Sequence, residues 1–276
     1  MGNSIENIDI VYLWVDGNDP EWLAKRAAFL GIETKKTMAD CEGRYIDNDE
    51  LMYSLRSVSE YAPWIRNIYI VTDNQVPKWI DTSNPRIHII NQNDILPSIS
   101  QPCYNSTVIE HFICDIPGLS EHFLYANDDM FFNRPVTPSD FFTDDNHPIV
   151  RLKRRHFRKI WLFLKKKFSK KPVSTYNNTI DISASMVESK FGKYYQGKPH
   201  HNIDSYEKSE YKHVRNTFKN EINSTLSHHK RAKDDIQRIL YQYAPLAEGK
   251  ASLKYVDSKE SLRISINKDK YYRKYA

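Results

Sequence analysis

Residues 8–15 (Ile-Asp-Ile-Val-Tyr-Leu-Trp-Val) form a nearly unbroken apolar run. Its length fits a strand buried on both faces, ended by the turn pair Asp16-Gly17. Asp19-Pro20 then supplies a helix cap followed by proline at the first helical position, which predicts a helix through Phe29. From Asp47 to Tyr61 the apolar positions Leu51, Leu55 and Val58 recur at helical spacing, Asp47 and Glu50 resemble a capping pair, and Ala62-Pro63 stops the helix. Residues 67–72 and 86–91 are two further strand candidates, Asn105–Cys114 reads as a short helix, and 122–126 as a strand running into Asn127-Asp128-Asp129. Strands alternating with helices predict a mostly parallel α/β sheet over residues 1–150. Beyond it, 151–171 reads as a basic helix, 180–245 as mostly helix, and 252–266 as a strand or two. Residues 151–276 therefore read as a helical lobe packed on the sheet.

Composition adds a compartment and one charged segment. The aromatic content argues for a folded protein. Cys41, Cys103 and Cys114 are odd in number and lack CxxC spacing, which fits a reduced cytoplasmic protein. Neither a signal peptide nor a membrane-spanning run is visible, and Glu6 breaks the myristoylation pattern. Residues 151–171 hold eleven Lys or Arg and no acid, so the net charge of +5 belongs to that segment. Trp161, Leu162, Phe163 and Leu164 interleaved with lysines fit an anionic membrane surface, against a plain solvated basic face. No nucleic-acid motif accompanies the charge.

Three loops should meet where ligands sit in α/β sheets, outside the carboxyl ends of the strands. They are Trp14-Val15-Asp16-Gly17-Asn18-Asp19, Thr72-Asp73-Asn74-Gln75 and Asn127-Asp128-Asp129. An aromatic ring, a glycine and an aspartate fit ring stacking, close backbone approach and a ribose contact, which makes Trp14, Val15, Asp16, Gly17 and Asp73 candidates for holding a nucleoside. Adjacent carboxylates at Asp128 and Asp129 suit a hard cation, Mg²⁺ or Mn²⁺, bridging to phosphate. Asn48 and Asp49 lie in a dense polar stretch, and Arg44 or Arg56 would neutralise a diphosphate. His200-His201 and His228-His229-Lys230-Arg231 offer proton transfer and charge stabilisation, while their spacing excludes a structural zinc.

Taken together these segments resemble the Stealth family of sugar-phosphate transferases, which includes bacterial capsular polysaccharide phosphotransferases and the catalytic subunit of N-acetylglucosamine-1-phosphotransferase. The first family block is similar to Ile8–Gly17. The second is similar to Arg44–Leu51, continuing through Arg56, Ala62–Arg66, Ile70–Asp73, Asn105-Ser106, Glu110 and Asn127–Phe131. The third resembles His201–Ala251, including Arg231 and Asp235. The resemblance implies a GT-A-like, Rossmann-type core with a C-terminal helical addition. It also implies transfer of a hexose-1-phosphate, such as N-acetylhexosamine-1-phosphate, from a UDP-sugar to a hydroxyl of a polysaccharide or glycolipid, releasing UMP. Asp128 and Asp129 then become metal or diphosphate residues, with His201 (or His200) and Arg231 catalytic, beside Asn105, Ser106, Asn127 and Asp235. The implied location is the cytoplasm, peripheral at the inner face of the membrane. The family's fourth block would follow Lys268–Lys274, and the sequence stops at Ala276. Two other readings compete: a GT-A glycosyltransferase releasing UDP, and a membrane- or polyanion-binding module.

Overall fold

Alternation along each strand decides where the core sits. In the computed structural model, which describes residues 5, 7–31 and 49–256, the apolar runs form β1 (Ile8–Leu13), β2 (Ile68–Thr72), β3 (Ile87–Asn91) and β4 (His122–Asn127). Val11, Tyr69, Val71, Phe123 and Tyr125 point to one face, and Ile10, Tyr12, Ile68, Ile70, Leu124 and Ala126 to the other. Both faces are covered, which is why the central strands read as continuous hydrophobic sequence.

Two helices that the sequence anticipates lie between β1 and β2 along the chain. Helix α1 (Pro20–Leu30) starts where the Asp19 carboxylate accepts from the backbone N–H of Glu21 at 2.9 Å and of Trp22 at 3.4 Å. It stops at Gly31, whose φ of 62° is the left-handed conformation that favours glycine. Helix α2 (Glu50–Tyr61) packs Leu51, Leu55 and Val58 onto the even-numbered face. It begins later than the expected Asp47, with Asp49 as its cap residue at φ 63°. Residues 44–48, including Arg44, Asn48 and Asp47, lie outside the described residues.

The five-stranded sheet has the order β3-β2-β1-β4-β7, where β7 is Asp204–Glu207. Strands β1 to β4 are parallel; β7 is antiparallel to β4, with Tyr125 opposite Asp204 and His122 opposite Glu207. This edge strand departs from the expectation of a helical 180–245. Asp-Ser-Tyr-Glu has no apolar run, and its buried Asp204 and Ser205 are satisfied only by partners distant in sequence. Arg238 donates to Asp204 at 2.8 Å, and the Ser205 hydroxyl donates to the Phe141 carbonyl at 2.8 Å. The expected boundary at residue 150 is likewise no boundary of the core. Residues from both sides of it, Val11 and Tyr125 with Ile180 and Tyr243, share one buried cluster.

Short helices α3 (Gln92–Ile95) and α4 (Ser106–Glu110) connect β3 to β4. The basic segment divides into β5 (Ile149–Lys153) and helix α5 (Arg158–Phe168), where one helix was expected. Pairing explains the strand: β5 lies between β6 (Lys198–Pro199) and β8 (Ser252–Val256) in a second, three-stranded sheet. Helices α6 (Thr175–Phe191), α7 (Lys208–Thr217), α8 (Lys219–Asn223) and α9 (Leu240–Glu248) complete the fold. The architecture is mixed α/β with C-terminal helices. Among the described residues, no helix is long and apolar enough to cross a membrane.

Candidate functional site

Parallel register puts the ends of β1, β2 and β4 at one level: Leu13 pairs with Val71 on one side and Asn127 on the other. The loops after these strands therefore share a rim. Gln75 ties two of them together, accepting from the Asp16 N–H at 2.9 Å and donating to the Asp16 carbonyl at 3.1 Å and the Asp19 carboxylate at 2.9 Å. The Asp73 carboxylate accepts from the Trp22 indole at 2.8 Å, and burial raises its pKa. The Asp16 backbone and the Asp73 carboxylate thus hold the first two loops and α1 to each other. Trp14 is 6% exposed and packs among Leu51 and Met130, so its ring face is not offered at the rim for stacking. The even-numbered position that sends Tyr12 into the core sends Trp14 there too. Val15 is half-buried and Gly17 buried in the same loop.

Arg56 is also displaced from its expected place. Helix α2 starts at the rim with Glu50 and runs away from it. Arg56 lies over the Tyr53 ring at 5.4 Å and lines a cleft of about 540 Å³ with Ile68 and Ile87, the first residues of β2 and β3. It belongs to the opposite edge of the sheet, because a helix antiparallel to the strands carries its later turns down to their amino ends. A second cleft, of about 500 Å³, lies around Lys166, Asp181 and Phe218 and is also separate from the rim residues.

At the end of β4 the acids crowd. Burial, then the charges of Asp129 and Glu50, push the Asp128 carboxyl up to about 7. Asn127 and Asp128 are half-buried, Asp129 is exposed, and Asp49 stands exposed one residue before Glu50. Like charges held together oppose ionisation, and a divalent cation would relieve the repulsion. The donors are all carboxylate oxygens, which fits Mg²⁺ or Mn²⁺ rather than a softer metal. A different trio, Glu210, His213 and Glu248 on α7 and α9, brings its ligand atoms within 4.8 Å of one another. There the Lys250 ammonium already sits on Glu210 at 2.7 Å.

The histidine loop reaches this rim because β7 is antiparallel. A strand entering the sheet beside the carboxyl end of β4 brings its preceding residues to the same edge. His201 Nε2 lies 3.4 Å from Asp129 Oδ2. His201 is exposed and His200 is 3% exposed, so of the two, His201 is presented to solvent at the rim.

Arg231 arrives by another route. Its guanidinium donates to the Ser106 hydroxyl at 2.7 Å. Asn105, fully buried, caps α4 through Thr107 N at 3.1 Å and donates to Asp235 at 3.0 Å. Asp235 also accepts from Ala232 N at 2.9 Å and meets His228 Nδ1 at 2.9 Å. His229 Nδ1 contacts the Pro102 carbonyl at 2.7 Å. Asn105, Asp235 and both histidines are thus fasteners that lock the 228–235 loop over residues 102–106. The loop continues to Arg238, whose partners include Asp204, three residues after His201.

Sequence reasoning missed Arg238. It is bonded to Asp204, lies over the Tyr125 ring at 4.1 Å, bonds the Tyr206 hydroxyl, and its Nε is 3.8 Å from Glu110. These acids and phenols hold its pKa well above the usual value despite burial. The only signal was an arginine flanked by Ile236 and Ile239, residues that enter the core.

Comparison with known proteins bears on the family of the chain. The model of Stealth protein conserved region 1 matches residues 6–34, and that of conserved region 2 matches residues 44–150. The exopolysaccharide phosphotransferase of Nocardia farcinica is 34% identical over 95% of this chain and 52% of its own length. The exopolysaccharide phosphotransferase cps2G of Lactiplantibacillus plantarum is 45% identical over 51% of this chain and 41% of its own. The receptor polysaccharide phosphotransferase WefC of Streptococcus oralis is 39% identical over 52% and 44%. In these three matches the aligned part is 41–52% of the relative's length. Among solved structures, the galactosyltransferase LgtC with donor and acceptor sugar analogues is 12% identical over 91% of this chain and 74% of its own, at a TM-score of 0.41. A superposition that loose carries no weight for the fold. With conserved regions 1 and 2 in order along β1, α1 and the connections to β5, this chain belongs to the Stealth family.

Proposed function

We propose that this chain is a sugar-phosphate transferase that moves a hexose-1-phosphate from a UDP-sugar to a hydroxyl of a polysaccharide or glycolipid, on a GT-A-like core, with release of UMP. One observation carries the reading: an exposed histidine, His201, stands against Asp129 beside the crowded Asp128 at the ligand-binding rim of the sheet. The names of the relatives, exopolysaccharide and receptor polysaccharide phosphotransferases, support the same class.

The acceptor oxygen attacks the sugar-bearing phosphorus in line. A new P–O bond forms, the bond to the bridging oxygen breaks, and UMP leaves with that oxygen. A neutral His201 that donates its Nε2 proton to Asp129 leaves Nδ1 to take the acceptor's proton. Arg231, steadied by Ser106, faces the charge developing on the equatorial oxygens. Asp128 and Asp129 would hold Mg²⁺ or Mn²⁺, which when bound neutralises diphosphate charge. The corresponding location is the cytoplasm, peripheral at the inner face of the membrane.

Incubation with a panel of sugar nucleotides, an acceptor glycan and Mg²⁺ tests the reading by the nucleotide released. UMP is expected. Accumulation of UDP would instead show transfer of the sugar alone, by attack at the anomeric carbon.

A further inference from the structure

Helix α5 wears its apolar residues on the wrong side for a soluble surface helix. Leu162 and Arg158 are its inward residues, 1% and 4% exposed. Arg158 donates to the carbonyls of Gln196 at 2.9 Å and Tyr195 at 2.7 Å. Lys159 pairs with Glu188, and Lys166 with Asp181 at 2.8 Å, so the helix is fastened against α6. Phe157, Ile160, Trp161, Leu164 and Phe168 are all exposed, between 46% and 74%. Their spacing is that of a single stripe on an α-helix, turned away from Leu162 at about 100° per residue. An amphipathic helix normally buries such a stripe; here the fold buries the other side.

The charges around the stripe identify what covers it. Lys165 lies over the Trp161 ring at 5.1 Å, and Lys167 over those of Phe163 at 5.8 Å and Phe168 at 5.3 Å. Residues 151–171 contain no acid to set against their eleven basic side chains. A second copy docked by the same face would bring two such segments together, and repulsion opposes it. An anionic lipid surface complements both features at once: aromatic rings enter the interfacial layer, and lysines reach the headgroups.

We infer that α5 is an in-plane anchor that seats this protein on an anionic lipid surface through Phe157, Ile160, Trp161, Leu164 and Phe168. The anchor adjoins the histidine loop. Strand β5 leads into α5, and its Lys153 pairs with Lys198 of β6, three residues before His201. Arg155 and Arg158 stand close enough to Lys198 to add to the lowering of its pKa by burial. Seated in this way, the rim works next to the lipid surface, where a lipid-linked acceptor would be held. The anchor rests on the geometry of α5; only the choice of acceptor rests on the transfer reading.

Co-sedimentation with phosphatidylcholine vesicles, with and without phosphatidylglycerol, tests it. The protein should bind the phosphatidylglycerol vesicles and leave the neutral ones. The double variant Trp161→Ser/Phe168→Ser, and separately Lys167→Glu/Lys170→Glu/Lys171→Glu, should each weaken binding by at least about tenfold. All five side chains are exposed, so unchanged circular dichroism is expected. Equal binding to both vesicle types, or unaltered binding by the variants, overturns the proposal. So does a wild-type dimer that the Trp161→Ser/Phe168→Ser change dissolves, which would assign the stripe to a second copy. Nucleotide release with a water-soluble acceptor should be the same in the variants and wild type. Absence of release from all of them would defeat the transfer reading and leave the vesicle result standing.

Discussion

The two ends of the central sheet treat an aspartate in opposite ways. At the amino end Asp9 is fully buried and fully answered: Arg66 grips it with two donors at 2.9 and 2.7 Å, and the N–H groups of Asn67 and Ser120 add 3.1 and 2.7 Å. At the carboxyl end burial, then the charges of Asp129 and Glu50, push the Asp128 carboxyl up to about 7. One carboxylate is built to hold the fold together. The other is held in a setting that charges of its own kind make unfavourable, which is the arrangement expected where a cation and a phosphate are to bind.

The contrast can be broken first at Asp9. Asp9→Ala strands Arg66 and two backbone donors, and should cost about 3–5 kcal/mol in urea or thermal unfolding. A loss below about 1 kcal/mol would mean that the Arg66 clamp is not structural. At the other end, His201→Ala should lower turnover by roughly 10²–10⁴-fold while stability stays within about 0.5 kcal/mol, since the side chain is exposed. Near-normal turnover would remove the histidine from the mechanism.

A third test uses pH. Burial, then the charge of Arg215, lowers His111 from 6.5 to about 3. The unfolded chain therefore binds this proton more readily than the native one. Its contribution to stability is complete above about 6.5 and falls by roughly 1.4 kcal/mol per pH unit below that, towards about 3. Denaturant midpoints should shift accordingly, and His111→Gln should flatten the slope. The smallest effect is expected at Asp128. Asp128→Asn relieves like-charge crowding and should raise stability by about 1 kcal/mol, against the large loss at Asp9. Mg²⁺ should raise the melting temperature of the wild type more than that of Asp128→Asn. Equal shifts would take the cation away from this residue.

Legibility followed the range of the forces involved. Strands β1, β2 and β4 were readable because burial on both faces leaves largely apolar runs, and α1 because Asp19, Pro20 and Gly31 fix its ends locally. Strand β7 was not, because four mostly polar residues become a strand only when β4 offers an edge and Arg238 offers a partner for Asp204. Arg56 was misplaced because helical spacing gives a face but not the edge of the sheet to which a given turn descends. Trp14 resembled a stacking platform in sequence, and the parity of its strand sent it into the core.

Sequence by itself determined the alternation of strands and helices, the acidic pair after β4 and the concentration of charge in 151–171, because each is written in neighbouring residues. Tertiary structure alone decided that His201 meets Asp129, that Asn105 and Asp235 fasten the arginine loop, and which side of α5 faces out. Those outcomes depend on antiparallel pairing and on side chains far apart in sequence, 72 positions for His201 and Asp129 and 130 for Asn105 and Asp235, which no local pattern records.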